Sequence, residues 1–112
     1  MVVVWPKFID FISGKYPIRA ITLFPFIILS SESDLKDPFL INHEQIHLRQ
    51  QLELLIIPFY LWYLIEYLIK LLKTGSWYMG YHQISFEGEA KYNEQNLYYL
   101  SERQGYSFLD YL

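Results

Sequence analysis

The feature that most constrains this chain is the pentapeptide His43-Glu44-Gln45-Ile46-His47, which follows the pair Asp37-Pro38. Aspartate accepts hydrogen bonds from the first turn of a helix, and proline is tolerated at the first helical position because its missing N–H would have no partner there. The pair therefore predicts a helix that begins at Asp37 and runs to about Ile56. On a helix, residues four apart lie on one face, so both imidazoles share a side and Glu44 lies beside them.

A wheel of about 100° per residue places the histidines at the border of the apolar face of this helix. The residues expected on their face are Leu40, His43, Glu44, His47, Gln51 and Leu54. The adjoining apolar stripe is expected to contain Ile41, Leu48, Leu52 and Leu55, and the solvent side Asn42, Arg49 and Glu53. Because an unpaired polar ring is unfavourable beside a buried surface, the histidines need hydrogen bonds or a metal ion.

The amino-acid composition limits the kinds of metal site and of partner that this chain can have. The 112 residues suffice for one domain, 1–112, and contain no Cys, so a metal must be held by imidazole and carboxylate rather than thiolate. The formal net charge is -3 without runs of Lys or Arg, which excludes nucleic acid as a partner because phosphate binding needs clustered cations. The start of the chain lacks a charged region before its apolar residues, so we expect no signal peptide.

The N-terminal third is expected to hold a short helix and an edge strand. Pro6 opens the helix, Ser13-Gly14 ends it, and the residues expected to face inward are Phe8, Phe11 and Ile12. The strand covers Ile18 to Leu29, and Pro25 places it at an edge because proline donates no hydrogen bond. An edge strand either accepts a peptide by β-augmentation or simply packs on the core. A loop follows over Ser30 to Lys36.

A second, very apolar helix is predicted over Phe59 to Lys73, between Pro58 and Thr74-Gly75. The uncharged run from Leu54 to Ile65 covers only 12 residues and Pro58 interrupts it, which disfavours a full membrane span. The aromatic residues of the region favour a membrane interface. We therefore expect a membrane-associated protein that does not span the bilayer, with the cytoplasm as the alternative location.

Two charges in the second helix allow two interpretations. Glu66 and Lys70 stand four apart with the glutamate first, the favourable order for an ion pair on a helix. A functional pair inside a membrane is one interpretation, and a solvated surface pair is the one we favour.

A third helix supplies candidate carboxylates. After a loop over Trp77 to Ile84, Ser85 is a suitable N-cap for a helix from Phe86 to about Arg103, ended by Gly105. Its expected inward positions are Phe86, Ala90, Asn93, Leu97 and Leu100. A catalytic zinc takes three protein ligands and keeps one position open, so the two histidines need a third ligand. Glu87 and Glu89 flank the apolar face about equally, and the wheel does not choose between them.

With the Glu-x-Glu-Ala run at residues 87–90, the chain resembles the gluzincin metallopeptidases, in which a glutamate from a later helix completes HExxH. The pattern is similar to that of small one-domain gluzincins and of membrane metallopeptidases that process prenylated or heat-damaged proteins. The resemblance covers roughly Ile18 to Arg103. It implies an α+β, mainly α, minimal zincin-like domain with an edge strand or small sheet, an HExxH helix, a hydrophobic second helix and a glutamate helix.

The resemblance also implies roles for single residues. His43 and His47 become zinc ligands, Glu44 the general base, Glu87 the third ligand, and Ala90 a small residue that lets the two helices approach. The family usually has Asp or Asn four positions after the ligand, to orient a histidine. That position holds Lys91 when counted from Glu87, whereas counting from Glu89 gives Asn93, as in thermolysin. Glu87 is favoured, with Glu89 as the alternate.

These residues predict a zinc-dependent metallopeptidase acting on a peptide or protein substrate. Glu44 would take a proton from water as that water attacks a carbonyl carbon. Tyr81, His82 and Tyr92 are candidates for a further hydrogen-bond donor. The alternative is a small, non-catalytic, membrane-associated interaction or structural protein, with or without bound zinc.

Overall fold

The computed structural model describes residues 1–13 and 18–112, except for the side chain of Ser13. The predicted helix stop at Gly14 lies outside these residues. Within them the order is β1 Val2–Val4, α1 Pro6–Ser13, β2 Ala20–Leu23, β3 Phe26–Leu29, a 3₁₀ helix Glu32–Lys36, α2 Pro38–Glu53, α3 Ile57–Thr74, α4 Trp77–His82, α5 Ser85–Asn93, α6 Tyr99–Glu102 and a 3₁₀ helix Ser107–Tyr111. The predicted α+β, mainly helical class is confirmed at this coarse level.

The strands form one small sheet in the order β1-β3-β2. β1 pairs in parallel with β3, Val3 opposite Ile28, and β2 pairs antiparallel to β3, Ile21 opposite Ile28. The prediction of a single strand over residues 18–29 was wrong, because the chain turns at Phe24-Pro25 and its second half becomes the central strand. β2 does lie at an edge of the sheet, and it packs on α2.

Helix α1 begins at Pro6 as predicted but buries a different side. Ile9 is in the core, whereas Phe11 is 86% exposed and Ile12 is also exposed, so their predicted inward placement was wrong. Because α1 packs on β3, the side of α1 that carries Ile9 is the side that faces this strand.

Helix α2 begins as predicted and ends earlier. The Asp37 carboxylate accepts hydrogen bonds from the backbone N–H groups of Phe39 and Leu40 at 3.1 and 3.2 Å. The helix ends at Glu53 rather than near Ile56, because Leu55 and Ile56 adopt φ angles of 61° and 67°, which no α-helix contains.

The buried side of α2 is polar, which the wheel did not predict. Its buried residues are Asn42, Glu44, Ile46, His47, Gln50 and Gln51, whereas Leu52 and Leu55 of the expected apolar stripe are exposed. Asn42, expected in solvent, donates to the backbone oxygens of Asn93, Glu94 and Asn96 at 3.3, 2.8 and 3.0 Å. Several neighbours of α2 are polar groups that need partners, so hydrogen bonding as well as hydrophobicity selects its inner side.

Helix α3 ends as predicted at Gly75, whose φ of 67° is left-handed and whose N–H donates to the oxygen of Leu71. Its inner side contributes Phe59 to a core cluster that also contains Ile84, Phe86 and Phe108. The Phe59 and Phe86 ring centroids lie 4.5 Å apart. This cluster locks α3 against the start of α5.

The favoured interpretation, that Glu66 and Lys70 form a solvated surface ion pair, was wrong. Its carboxylate is buried and accepts hydrogen bonds from the N–H of Ser85 at 2.5 Å, from the Ser85 hydroxyl at 2.7 Å and from Trp62 Nε1 at 3.2 Å. Among the described residues it forms no ion pair with Lys70. Glu66 therefore receives the free N–H at the start of α5, and Ser85 is the first helical residue rather than the cap.

The last third of the chain contains more and shorter helices than predicted. Residues 77–82 form α4 instead of a loop, and the Ser76 hydroxyl caps it by accepting from the N–H of Met79. The single helix expected up to Arg103 ends at Asn93 and is followed by turns and the short helix α6, and Leu97 is exposed.

Among the described residues, no single helix is long and apolar enough to cross a membrane. One bent pair, α2 with α3 at 112°, reaches the required length and hydropathy when the two are taken together.

Candidate metal centre

Helices α2 and α5 bring three potential metal ligands together. His47 Nε2 lies 3.2 Å from His43 Nε2 and 3.2 Å from Glu87 Oε1, and His43 Nε2 lies 3.4 Å from the same oxygen. In a tetrahedral zinc site with bonds of 2.0–2.1 Å, neighbouring ligand atoms are about 3.3 Å apart. The spacing of these three atoms therefore fits a metal ion, and the group could hold one.

Hydrogen bonds on the far side of each ring determine which nitrogen faces this cluster. His47 Nδ1 lies 2.8 Å from Gln50 Oε1, and the Gln50 amide nitrogen donates to the Phe86 backbone oxygen and to Glu89. Since the amide nitrogen is fixed by two acceptors, Gln50 Oε1 must accept and His47 Nδ1 must donate. His43 Nδ1 likewise faces a carboxylate, Glu94 Oε1, at 3.1 Å. Both Nε2 atoms of the neutral rings thus carry lone pairs toward Glu87.

Three acceptors that converge in this way need a shared cation, either a proton or a metal ion. Burial lowers the pKa of His47, but the nearby Glu87 carboxylate, its hydrogen bond and the charge of Glu44 raise it to about 9. Burial raises the pKa of Glu87, and the two imidazoles outweigh that effect and hold this pKa far below its usual range. The cluster is therefore a strong site for positive charge.

Tyr63 binds the third ligand. The Tyr63 hydroxyl donates to Glu87 Oε2 at 2.8 Å, which leaves Oε1 for the cluster. Burial and the charges of Glu87 and Glu44 raise the pKa of Tyr81, one of the predicted donors. The other two candidates lie differently: Tyr92 is 80% exposed, and the His82 ring packs on Tyr78 at 4.2 Å.

Glu44 lies beside the cluster without joining it. The side chain is buried, and the Thr22 hydroxyl of β2 lies 2.5 Å from its Oε2 and 3.2 Å from its backbone oxygen. Its charge still contributes to the raised pKa of His47. Glu44 therefore lies near the three potential ligands without being one of them.

Glu89, the alternate third ligand, is held elsewhere. It is fully buried, forms an ion pair with Arg103 Nε and accepts from the Tyr99 hydroxyl at 2.7 Å. Arg103 also bonds both oxygens of Glu53 at 3.0 Å. The structure thus places Glu87, and not Glu89, against the histidines. Lys91, at the family position for an orienting residue, projects outward with 74% of its side chain exposed.

Sequence reasoning missed Gln50, Glu94, Tyr63 and Thr22 around the cluster. Gln50 lies three residues after His47, and Glu94 lies seven after Glu87, so helical spacing carried a signal for these two. Thr22 and Tyr63 come from other elements, and nothing near them in sequence indicates the contact. Lys91 departs from the family pattern at the orienting position, and Glu94 Oε1 lies against His43 Nδ1 instead.

Access to the cluster is narrow. The side chains of His43, His47 and Glu87 are 16%, 8% and 8% exposed. Two apolar surface grooves, of about 410 and 160 Å³, lie on α3 and on the sheet, and none of the three ligands lines them.

The edge of β2 is partly occupied. The Gln51 amide donates to the Thr22 backbone oxygen at 2.8 Å and accepts from the Phe24 N–H at 2.9 Å. A peptide that added to this edge would have to displace Gln51 from both groups.

Comparison of the chain with protein family models, curated proteins and solved structures found no match.

Proposed function

We propose that this chain is a zinc-dependent metallopeptidase-like protein that hydrolyses peptide bonds. The observation that carries the proposal is the convergence of His43 Nε2, His47 Nε2 and Glu87 Oε1, with separations of 3.2 to 3.4 Å. The proposal also includes a gluzincin-like arrangement, in which the HExxH helix α2 and the glutamate helix α5 provide the ligands.

Zinc is the proposed ion because the donors are two imidazoles and one carboxylate without a thiolate. This set is typical of catalytic zinc sites, which take three protein ligands and keep a further position open. Softer ions prefer sulfur, and magnesium prefers oxygen ligands throughout. Bound here, zinc would supply the positive charge that acidifies water and polarises a peptide carbonyl.

Glu44 is the proposed proton acceptor. The Thr22 hydroxyl binds one of its carboxylate oxygens at 2.5 Å, so the side chain is held in place while the other oxygen can receive a proton. Tyr63 and Gln50 hold the ligands in the same way, Tyr63 through Glu87 and Gln50 through His47. The catalytic groups are thus positioned before any substrate arrives.

Substitution Glu44→Gln tests this role, because the amide keeps the shape and loses the ability to take a proton. Both wild type and variant, loaded with zinc and checked for equal zinc content, are incubated with a denatured casein or a random peptide mixture. We expect cleavage by the wild type and a loss of about 100-fold or more in the variant. Equal cleavage by both proteins would contradict the assignment, and metal-free wild type serves as the blank.

A second candidate function has its own support. The ligands are almost enclosed, and the outer side of α3 exposes Ile57, Leu61, Leu64, Leu68 and Leu72, each at least 48% accessible. Contiguous apolar patches of this kind mark protein or membrane interaction sites. The alternative is therefore a non-catalytic, membrane-associated protein whose metal, where bound, stabilises the fold.

Vesicle binding tests the membrane part of either function. Wild type and a Leu64→Gln, Leu68→Gln double variant are sedimented with phosphatidylcholine–phosphatidylglycerol vesicles. We expect the wild type to pellet with the vesicles and the variant to stay in the supernatant, whereas Leu35→Gln with Phe39→Gln, exposed apolar residues away from α3, should behave like wild type. A wild type that stays in the supernatant would contradict membrane association.

A further inference from the structure

A buried amide on α2, Gln50, connects a metal ligand with the C-terminal part of the chain. Gln50 is completely inaccessible to solvent. Its Oε1 lies 2.8 Å from His47 Nδ1, and its amide nitrogen donates to Glu89 Oε1 at 2.9 Å and to the Phe86 backbone oxygen at 3.1 Å. Both amide hydrogens are therefore used, and the oxygen is directed at the imidazole.

Glu89 is held in turn from the C-terminal segment. Arg103 bonds both of its carboxylate oxygens, and the Tyr99 hydroxyl donates to Oε2 at 2.7 Å. Arg103 has 1% of its side chain exposed and also bonds Glu53 at the end of α2. We call Gln50, Glu89, Tyr99 and Arg103 the Gln50 network.

The orientation of the Gln50 amide determines which nitrogen of His47 carries the proton. With the amide oxygen toward Nδ1, the ring must donate from Nδ1, and Nε2 keeps its lone pair. If the amide were reversed, its NH₂ group would face Nδ1 and the proton would move to Nε2. A protonated Nε2 cannot bind a metal ion. Glu89 prevents the reversal, because a carboxylate accepts hydrogen bonds and would repel the amide oxygen.

We propose that Gln50 and Glu89 are positioning residues that hold His47 as the tautomer protonated at Nδ1, and that Arg103 thereby controls metal affinity from outside the metal centre. The effect on affinity rests on the proposed metal site. The tautomer itself rests only on the hydrogen bonds of the metal-free chain. The docking of the C-terminal segment and the binding of metal are coupled through these contacts.

The tautomer is measured without metal. Nitrogen-15 NMR of the histidine rings in the metal-free protein near pH 10, above the raised His47 pKa of about 9, distinguishes a protonated from a bare ring nitrogen. We expect the His47 Nδ1 signal in the protonated range in the wild type and a shift toward protonated Nε2 in Gln50→Leu. The control is Gln45→Leu on the exposed side of α2, which should match wild type. A wild-type ring protonated at Nε2 would overturn the proposal.

Zinc affinity gives the second readout. Gln50→Leu and Arg103→Met should each bind zinc about 10- to 100-fold more weakly than wild type, although neither removes a ligand. Gln45→Leu, on the exposed side of α2, is the matched control and should bind zinc like wild type.

The two readouts separate this proposal from the proposed function. A Gln50→Leu protein with wild-type zinc affinity would overturn the positioning role. A wild type that shows the expected tautomer but binds no zinc would leave the hydrogen-bond assignment correct and contradict the metal centre. A wild type that binds zinc without cleaving peptides would contradict only the peptidase.

Discussion

Glu87 and Glu89 stand two residues apart on one short helix, and their carboxylates bind different partners. Glu87 faces two imidazoles, and Glu89 faces the guanidinium of Arg103. The sequence contained both carboxylates and the family spacing, but a wheel could not separate them because both flank the same apolar face. The choice depends on Arg103 and Gln50, which arrive from other parts of the chain.

This difference predicts different zinc affinities for two matched substitutions. Glu87→Gln should lower zinc affinity about 100-fold or more, because it removes an anionic ligand, and should also lower the stability of the metal-free protein, because the protonated His47 ring loses its counterion. Glu89→Gln should leave all three ligands in place, weaken zinc binding less than Glu87→Gln, and lower the free energy of unfolding by about 3 kcal/mol, because the buried guanidinium of Arg103 keeps only the Glu53 carboxylate as a charged partner. Competition titrations of zinc and urea unfolding of the metal-free proteins measure the two effects. The reverse pattern would make Glu89 the ligand.

The raised pKa of His47 predicts how zinc affinity depends on pH. In the metal-free protein this ring keeps its proton up to about pH 9, so below that pH zinc must displace the proton. Glu87, with its lowered pKa, stays ionised throughout and adds no dependence. Apparent affinity should therefore rise about tenfold per pH unit between pH 6 and 8 and level off above pH 9. Titrations against a chelator of known pH dependence measure this slope, and an affinity constant over that range would contradict the assignment.

At the scale of elements, local signals located the helices better than their inner sides. Asp37-Pro38 and Thr74-Gly75 correctly marked the start of α2 and the end of α3, because caps act through neighbouring backbone groups. The inner side of α2 was misjudged, since Asn42, expected in solvent, is buried beside the backbone groups that it bonds. Such partners are distant in sequence, and no periodicity indicates them.

Glu66 illustrates how one element positions another. Its carboxylate on α3 receives the N–H and hydroxyl of Ser85, two residues before Glu87. Glu66→Ala should lower the free energy of unfolding by about 2 kcal/mol, because the buried N–H loses its acceptor, and should also weaken zinc binding by displacing the start of α5. Urea unfolding and zinc titration measure both effects. Lys70→Ala, on the same helix, should change neither, and equal losses in the two variants would show that Glu66 acts as half of an ion pair.

At the scale of the whole molecule, the apolar residues of α3 lie in two different places. One set is in the buried core, and the other is on the exposed outer side of the helix. The aromatic cluster around Phe86 joins α3, α5 and the C-terminal 3₁₀ helix in the core, next to Glu87. The outer side of α3 remains uncovered. Hydropathy could show that α3 is apolar all round, but which residues the core uses depends on where α5 and Phe108 pack.

The fold brings three atoms from two helices within 3.4 Å of one another. Crystals grown with zinc, measured on both sides of the zinc absorption edge, test this directly. The anomalous difference map should show one strong peak between His43 Nε2, His47 Nε2 and Glu87 Oε1, and crystals of His47→Ala should lack it. A wild-type map without that peak, or with its strongest peak beside Glu89, would contradict the metal centre on which the proposed function depends.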